Sequence, residues 1–205
     1  MSAEAGPRAN PSPRDSLVVA RSPRLRLRYK VPDDALDDYA WARDPETARF
    51  NGSPPRDQPF PAFLAEFEHE VAFGPPGRQP FAIETLDEVH IGNLMYYNAN
   101  DTRDTAEFGM TIGTEAYRDR GYGREAAVAF LRFAWQTYPF RTMYLHTLEW
   151  NERARRSFAA AGFEPVARVQ RGPGTFVRME AHREWWLLHD IEGRFAFTSR
   201  GTRPT

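Results

Sequence analysis

The sequence predicts a single α/β (α+β) domain, and three observations predict it. Strand-like and helix-like stretches alternate from residue 24 to residue 186 in the order β-α-α-β-β-β-α-β-α-β-β. At the centre of that order a strand feeds a glycine turn, and the turn opens a helix. The chain of 205 residues is long enough to bury one sizeable core and short for two.

Residues 1–20 are rich in Pro, Ser, Ala and charge and bury little apolar surface, so they are expected to be a mobile tail ahead of a domain over 21–190. Arg24 to Tyr29 alternates strictly, with Leu25, Leu27 and Tyr29 on one face and three arginines on the other. This predicts a half-buried strand whose arginine face is solvated and salt-bridged, since Asp33, Asp34, Asp37 and Asp38 follow directly. Pro32 with two aspartates suits a helix start. That helix is expected to reach Arg43, with Leu36, Tyr39 and Ala40 facing in. Residues 50–61 read as a loop, and 62–72 as a second amphipathic helix carrying Phe63, Leu64, Phe67 and Val71.

Residues 79–85 and 89–97 read as two antiparallel strands joined at Leu86-Asp87-Glu88. Tyr96 and Tyr97 suit a strand under a ligand, with ordinary strand packing the preferred reading. The central unit follows. Ala106 to Gly113 is a strand, and from Arg124 to Tyr138 the residues Ala127, Phe130, Leu131, Ala134 and Tyr138 fall at helical spacing. After a further strand around His146 and a helix from Asn151, two strands are expected near 165–170 and 175–183. Residues 184–189 extend the last strand or form a short helix. A C-terminal extension over 191–205 is expected to fray from Thr198.

The turn itself is Arg118-Asp119-Arg120-Gly121-Tyr122-Gly123. The first turn of a helix has N–H groups without intrahelical partners and the positive end of the macrodipole, so it receives phosphate oxygens readily. Glycine there lets the backbone approach a ligand, and Arg118, Arg120 and Arg124 bring cationic donors. A glycine corner after a strand is often no more than a corner. The chain has no G-x-x-x-x-G-K-S/T and no G-x-G-x-x-G here, and its only lysine, Lys30, is far from any glycine turn.

Composition narrows the function further. With 27 basic and 28 acidic residues nothing calls for a polyanion partner, so no nucleic acid is expected. The absence of cysteine excludes disulfides, thiolate metal sites and a cysteine nucleophile. No apolar run suits a signal core or a membrane span, which makes the cytoplasm the expected location.

The turn fits Q/R-x-x-G-x-G/A, and after one helix and one strand come Asn151, then Phe158, then the pair Gly162-Phe163. This arrangement resembles the GCN5-related N-acetyltransferases (GNAT), in the branch of the ribosomal-protein N-terminal acetyltransferases and their small-molecule relatives. The resemblance covers residues 24–186. It implies the GNAT fold, a mixed central sheet of about seven strands with helices on both faces. It implies acetyl-CoA as the cofactor, with the pyrophosphate at Arg118, Arg120, Gly121, Tyr122, Gly123 and Arg124. The pantetheine arm would enter a gap between a bulged strand at 107–112 and the strand 142–148, with N–H groups of Met110, Thr111 and Ile112 toward the thioester. Asn151 and Phe158 would complete the contacts, Asn151 also suiting a helix N-cap. The acceptor, a small-molecule amine or a peptide N-terminus, would lie against the early helix pair and its loop. A homodimer is one possible assembly.

Acetyl transfer to an amine needs an activated thioester, an amine without its extra proton, and a proton for the leaving thiolate. Without cysteine, direct attack in a ternary complex remains. His146 stands where the resemblance places a glutamate base, and Glu107 is the second candidate. A strand histidine or a paired glutamate can equally be structural. For the thiolate proton the family often uses a tyrosine seven residues after the asparagine, and Phe158 occupies that place. Ser157, Tyr144 or water stay open as donors. Two other readings are a non-catalytic acyl-CoA-binding module, favoured by Phe158, and an RNA- or ribosome-associated binder acting through the arginine strand.

Overall fold

The computed structural model describes residues 14–197. Eight strands form one sheet: β1 (Val18–Arg21), β2 (Leu25–Tyr29), β3 (Gln79–Thr85), β4 (His90–Asn100), β5 (Thr105–Ile112), β6 (Thr142–Leu148), β7 (Glu164–Arg171) and β8 (Gly174–His182). Their order is β1-β2-β3-β4-β5-β6-β8-β7. Every neighbouring pair is antiparallel except β5 with β6, which makes the sheet mixed as expected, with one strand more than seven. The helices are α1 (Ala35–Arg43), α2 (Pro45–Asn51), α3 (Phe60–Phe73), α4 (Tyr122–Thr137), α5 (Glu152–Ala160) and α6 (Arg183–Ile191).

The main core lies between one sheet face and α4, α5 and α6. Leu25, Phe81, Leu94 and Phe108 from the strands meet Phe130, Phe158 and Trp186 there. A smaller cluster of Ala35, Phe63 and Phe67 joins α1 to α3. In α4 the periodic residues Ala127, Phe130, Leu131 and Ala134 are all buried, whereas Tyr138, the last of the set, follows the helix in extended backbone and is half-buried.

Several expectations are corrected. Residues 14–21, expected in the tail or just after it, are ordered into a 3-10 turn over Asp15–Leu17 and the strand Val18–Arg21, which pairs with β2 at the sheet edge; the expected tail over 1–13, and the end expected to fray from Thr198, lie outside the described residues. Beyond α6 the chain turns back, and Phe195 is buried with its ring 4.7 Å from Trp186. Of the two readings of residues 184–189 the helix is the one found, over Arg183–Ile191. A 3-10 turn over Pro32–Asp34 precedes α1 and resets its rotation, so Ala35 is the buried residue while Leu36 is 65% exposed and Ala40 is also exposed. The loop expected from residue 50 begins only after α2. That helix starts at Asp44, whose carboxylate accepts from the Thr47 N–H at 2.8 Å, and ends at Gly52 with φ +68°.

The largest correction concerns β2, which is buried on both faces. Arg28 is fully buried and holds Asp34 by two hydrogen bonds of 2.7 and 2.8 Å, with Glu84 of β3 at 3.1 Å. Arg26, 4% exposed, donates to Glu84 and reaches Glu88 at 2.9 Å. Burial alone would push the Glu84 carboxyl up, but its bonds from Arg28 and Arg26 outweigh that and hold it below the usual carboxylate range. Arg26 and Arg28 are therefore part of an internal ion cluster, whereas Arg24, ahead of β2, is exposed and pairs with Glu125 at 2.6 Å.

Candidate active site

The site is organised by the pairing of β5 with β6, the only parallel one among the described residues. Pairing between β5 and β6 runs from Thr105↔Thr142 to Glu107↔Tyr144 and stops. From Phe108 onward β5 stays with β4, and from Leu145 onward β6 stays with β8. The two strands splay, and a cavity of about 880 Å³ opens from the wedge to the first turn of α4 and to the α1–α3 wall. The bulge expected within 107–112 lies instead on β4, between Tyr97 and Asn100, where Asn98 takes φ +51°.

At the wedge the backbone of β5 is free on one side. Gly113 N–H donates to Ile91 O at 3.0 Å, whereas Ile112 O accepts from Arg118 Nε at 3.1 Å, away from β4. Successive residues of a strand point their amides to opposite neighbours, so the N–H groups of Met110 and Ile112 face the gap and that of Thr111 faces β4. The Thr111 hydroxyl lines the cavity and donates to Asn51 of α2 at 3.0 Å.

At the start of α4, Gly121 has φ +82° and takes the N-cap position. Glu125 N–H donates to Gly121 O as the first helical bond, which leaves the amides of Tyr122, Gly123 and Arg124 ahead of it. Space beside Gly123 is narrow, since a Cβ there would sit 3.3 Å from both Met110 Cε and Ser157 Oγ. The three arginines do not act alike. Arg118 spends its guanidinium on Glu46, Thr47, Ile112 O and Gly113 O, tying the turn to α2 and β5. Arg120 is exposed and, with Tyr122, lies outside the cavity lining; Tyr122 packs under Arg24 at 4.3 Å. Arg124 lines the cavity while donating to Ala160 O at 3.1 Å. Arg153 and Arg156 of α5 line the same mouth, and the sequence reading did not assign them. Their i, i+3 spacing directly after Asn151 was the available signal.

Asn151 is 6% exposed and caps α5, its side-chain oxygen accepting from Ala154 N–H at 3.2 Å. Phe158 lines the cavity from below, with its ring edge-on to Phe108 at 6.1 Å.

On the opposite sheet face the two base candidates meet. His146 Nδ1 lies 2.7 Å from Glu107 Oε1, and both side chains are about 5% exposed or less. Asn98 donates to Glu107 Oε2 at 3.0 Å. Burial alone would raise the Glu107 carboxyl, but the bonds from His146, Asn98 and Tyr97 hold it below its ordinary value. This is the reverse of the raised carboxyl that a glutamate base near neutral pH would need. An ionised Glu107 accepts, so Nδ1 carries the ring proton and Nε2 keeps the lone pair. Arg171, at the end of β7, covers that edge of the ring, its Nη2 lying 2.9 Å from Nδ1 and 3.1 Å from Nε2, so the lone pair faces a guanidinium donor. The two tyrosines of β4 part company: Tyr96 packs on Tyr138 and Phe140, while Tyr97 lines the cavity.

The wall beyond is built by α1–α3. Trp41, Phe63 and Phe67 supply apolar surface, and Asp38, Glu66 and Glu70 supply carboxylates. Each carboxylate has a basic partner. Lys30, whose side chain is 4% exposed, pairs with Asp38; Arg56 meets Glu66 at 3.0 Å and Arg78 meets Glu70 at 2.7 Å. Burial lowers the Lys30 amine, with Asp38 opposing that effect. Among the described residues no cluster of His, Asp and Glu is arranged to hold a metal, and no helix is long and apolar enough to cross a membrane.

A search of curated proteins finds no match. Among solved structures, spermidine N-acetyltransferase from Vibrio cholerae, in complex with CoA and spermine, aligns with a TM-score of 0.72 at 17% identity, over 81% of this chain and 99% of that one. The aminoglycoside acetyltransferase AAC(6')-Ib in complex with coenzyme A aligns at 0.69 and 18% identity, over 81% and 99%. A second structure of that enzyme holds coenzyme A and kanamycin. At these identities the likeness is one of fold. Residues 24–164 match the acetyltransferase (GNAT) domain family. That match takes in the splayed strands, the glycine turn and Asn151 together, and this chain accordingly belongs to the GNAT acetyltransferases, enzymes that use acetyl-CoA.

Proposed function

We propose that the protein moves an acetyl group from acetyl-CoA to a primary amine by direct attack in a ternary complex, with His146 as the base. The observation that carries this reading is the wedge between β5 and β6. It ends at a glycine-capped helix on one side and at a buried His146–Glu107 pair on the other. Acetyl-CoA supplies an activated acyl group to the wedge. The residues fit it: the first amides of α4 with Arg124, Arg153 and Arg156 suit its phosphates, and the free amides of Met110 and Ile112 suit the thioester oxygen. Arg118 supports the turn, and Asn151, Phe158 and the Thr111 hydroxyl shape the arm's path. Arg120 and Tyr122 would act from outside, by holding Gly121 in place.

Once the half-exposed Arg171 side chain gives way to the acceptor, His146 Nε2 takes the amine proton, directly or through one water, while Glu107 holds the ring by Nδ1 and keeps that tautomer. The acceptor lies against the α1–α3 wall. Spermine and kanamycin in the comparison structures support a small-molecule amine. The motif from Arg118 to Phe163 supports a place beside the ribosomal-protein N-terminal acetyltransferases, for which the acceptor would be a peptide N-terminus. The reading takes residues 21–190 as one catalytic domain working in the cytoplasm, and a homodimer is to be tested by sedimentation.

CoA release from acetyl-CoA with spermine, kanamycin and a tripeptide as acceptors tests the reading. Turnover with any one of them supports it. CoA binding without turnover for any amine would favour a non-catalytic acyl-CoA-binding module, the reading that Phe158 suggests.

A further inference from the structure

We propose that Tyr97 is the proton donor for the leaving sulfur, in place of the tyrosine that Phe158 replaces; this rests on the acetyl-transfer reading. Tyr97 lines the cavity on the strand next to the wedge. Its ring lies against the backbone of Gly109, 3.2 Å from where a Cβ would sit, and the next residue, Met110, points its N–H into the gap. Gly109 therefore makes room for the ring beside an amide suited to the thioester oxygen. In the β4–β5 register Tyr97 stands directly opposite Glu107, whose carboxylate also holds His146. One carboxylate thus joins the proposed donor to the proposed base.

Burial, then the neighbouring Glu107 charge, push the Tyr97 phenol well above its ordinary value, so it keeps its proton through the neutral range. The other donors are placed less well. Tyr144 lies outside the cavity lining, with Arg178 stacked 4.0 Å over its ring. Ser157 faces Gly123 at the first turn of α4, the phosphate end.

The step balances with groups already present. The amine lone pair forms the C–N bond, the C–S bond breaks, and its electron pair stays on sulfur. His146 Nε2 takes one proton from the amine, and Tyr97 Oη gives one to sulfur. The resulting imidazolium and phenolate are neutralised when a proton passes from His146 Nδ1 through the Glu107 carboxylate to Tyr97, and exchange with solvent, which takes the Nε2 proton and returns one to Nδ1, restores the tautomer that Glu107 holds. The proton removed from the amine is in effect returned to the thiol.

The test uses the full chain with its 8 tyrosines replaced by 3-fluorotyrosine, and fluorine NMR, the Tyr97 signal being assigned by its loss in Tyr97→Phe. CoA is expected to move the Tyr97 signal, desulfo-CoA to move it much less, and the Tyr96 signal to stay in place under both. Equal effects of the two ligands on Tyr97, or none, would overturn the assignment. In turnover with the best of spermine, kanamycin and a tripeptide, Tyr97→Phe should lower kcat by about 100-fold and leave the KM for acetyl-CoA unchanged. Wild-type kcat in that variant would also overturn it. Calorimetry separates the two levels: CoA that binds without moving Tyr97 removes only this assignment, whereas CoA that fails to bind removes the acetyl-transfer reading and this with it.

Discussion

Glu107 Oε1 lies 2.7 Å from His146 Nδ1 at the point where β5 and β6 stop pairing. A carboxylate held below its ordinary value orients the ring more than it accepts a proton itself. Glu107→Gln keeps the shape and weakens the orientation, so kcat is expected to fall about 100-fold with CoA affinity unchanged. The sign of the stability effect follows from the lowered value. The contribution of Glu107 is complete above the ordinary value of 4.5 and is lost as pH falls through the folded one. Urea melts between neutral pH and pH 3 should therefore show a shallower acid decline in the variant.

His146 is faced by Glu107, Arg171 and Tyr144, with Tyr97 behind Glu107. If its Nε2 takes the amine proton, His146→Ala should flatten the acid limb of kcat/KM and leave CoA binding nearly unchanged. A limb that survives in His146→Ala and disappears in Glu107→Gln would transfer the role to Glu107.

Gly121 sits at φ +82°, and the nearest atom to a Cβ built there is Arg24 Nη2 at 3.5 Å. The fold has room for a side chain, whereas the backbone resists a β-branched one by about 1–2 kcal/mol. Gly121→Val should lose CoA binding in calorimetry while remaining folded. Unchanged affinity would mean that the turn is a corner and holds no phosphate.

The Arg28–Asp34–Glu84 cluster is almost fully buried. Arg28→Met takes both guanidinium bonds from the buried Asp34 and leaves Glu84 to Arg26 and Arg14, and should cost about 3–5 kcal/mol in denaturant unfolding. The double change Arg28→Met with Glu84→Gln should recover part of that loss.

A site already formed in the folded protein predicts a ligand effect on melting. CoA at a hundred times its Kd should add about 2.7 kcal/mol of stability, and ATP and NAD far less. Equal shifts for all three would mean anion binding at Arg153 and Arg156 without recognition of CoA.

What the sequence made legible was local. The strand, glycine turn and helix around Gly121 lie next to one another in the chain, and so do Asn151 and its helix. The burial of Arg26 was not legible, because its partner Glu84 is 58 residues away and alternation alone suggests a wet face. Helix α2 was readable and missed: Asp44-Pro45, Thr47 and Gly52 give its start and stop. Tyr96 and Tyr97 read alike, since a strand sends neighbours to opposite faces and only the assembled sheet tells which face holds the cavity.

The pairing of Lys30 with Asp38 also governs what the protein does to itself. An enzyme that handles an activated acyl donor exposes its own amines to it, and each surface lysine is a stray acceptor. This chain carries one lysine, and the fold keeps its side chain 4% exposed with the amine against a carboxylate, and has arginine everywhere else that a basic side chain is used. A guanidinium stays protonated and does not compete for the acyl group. Acetyl label found on the folded protein's side chains would therefore be a sensitive sign of local opening around β2 and α1, because reaching Lys30 requires that pair to come apart.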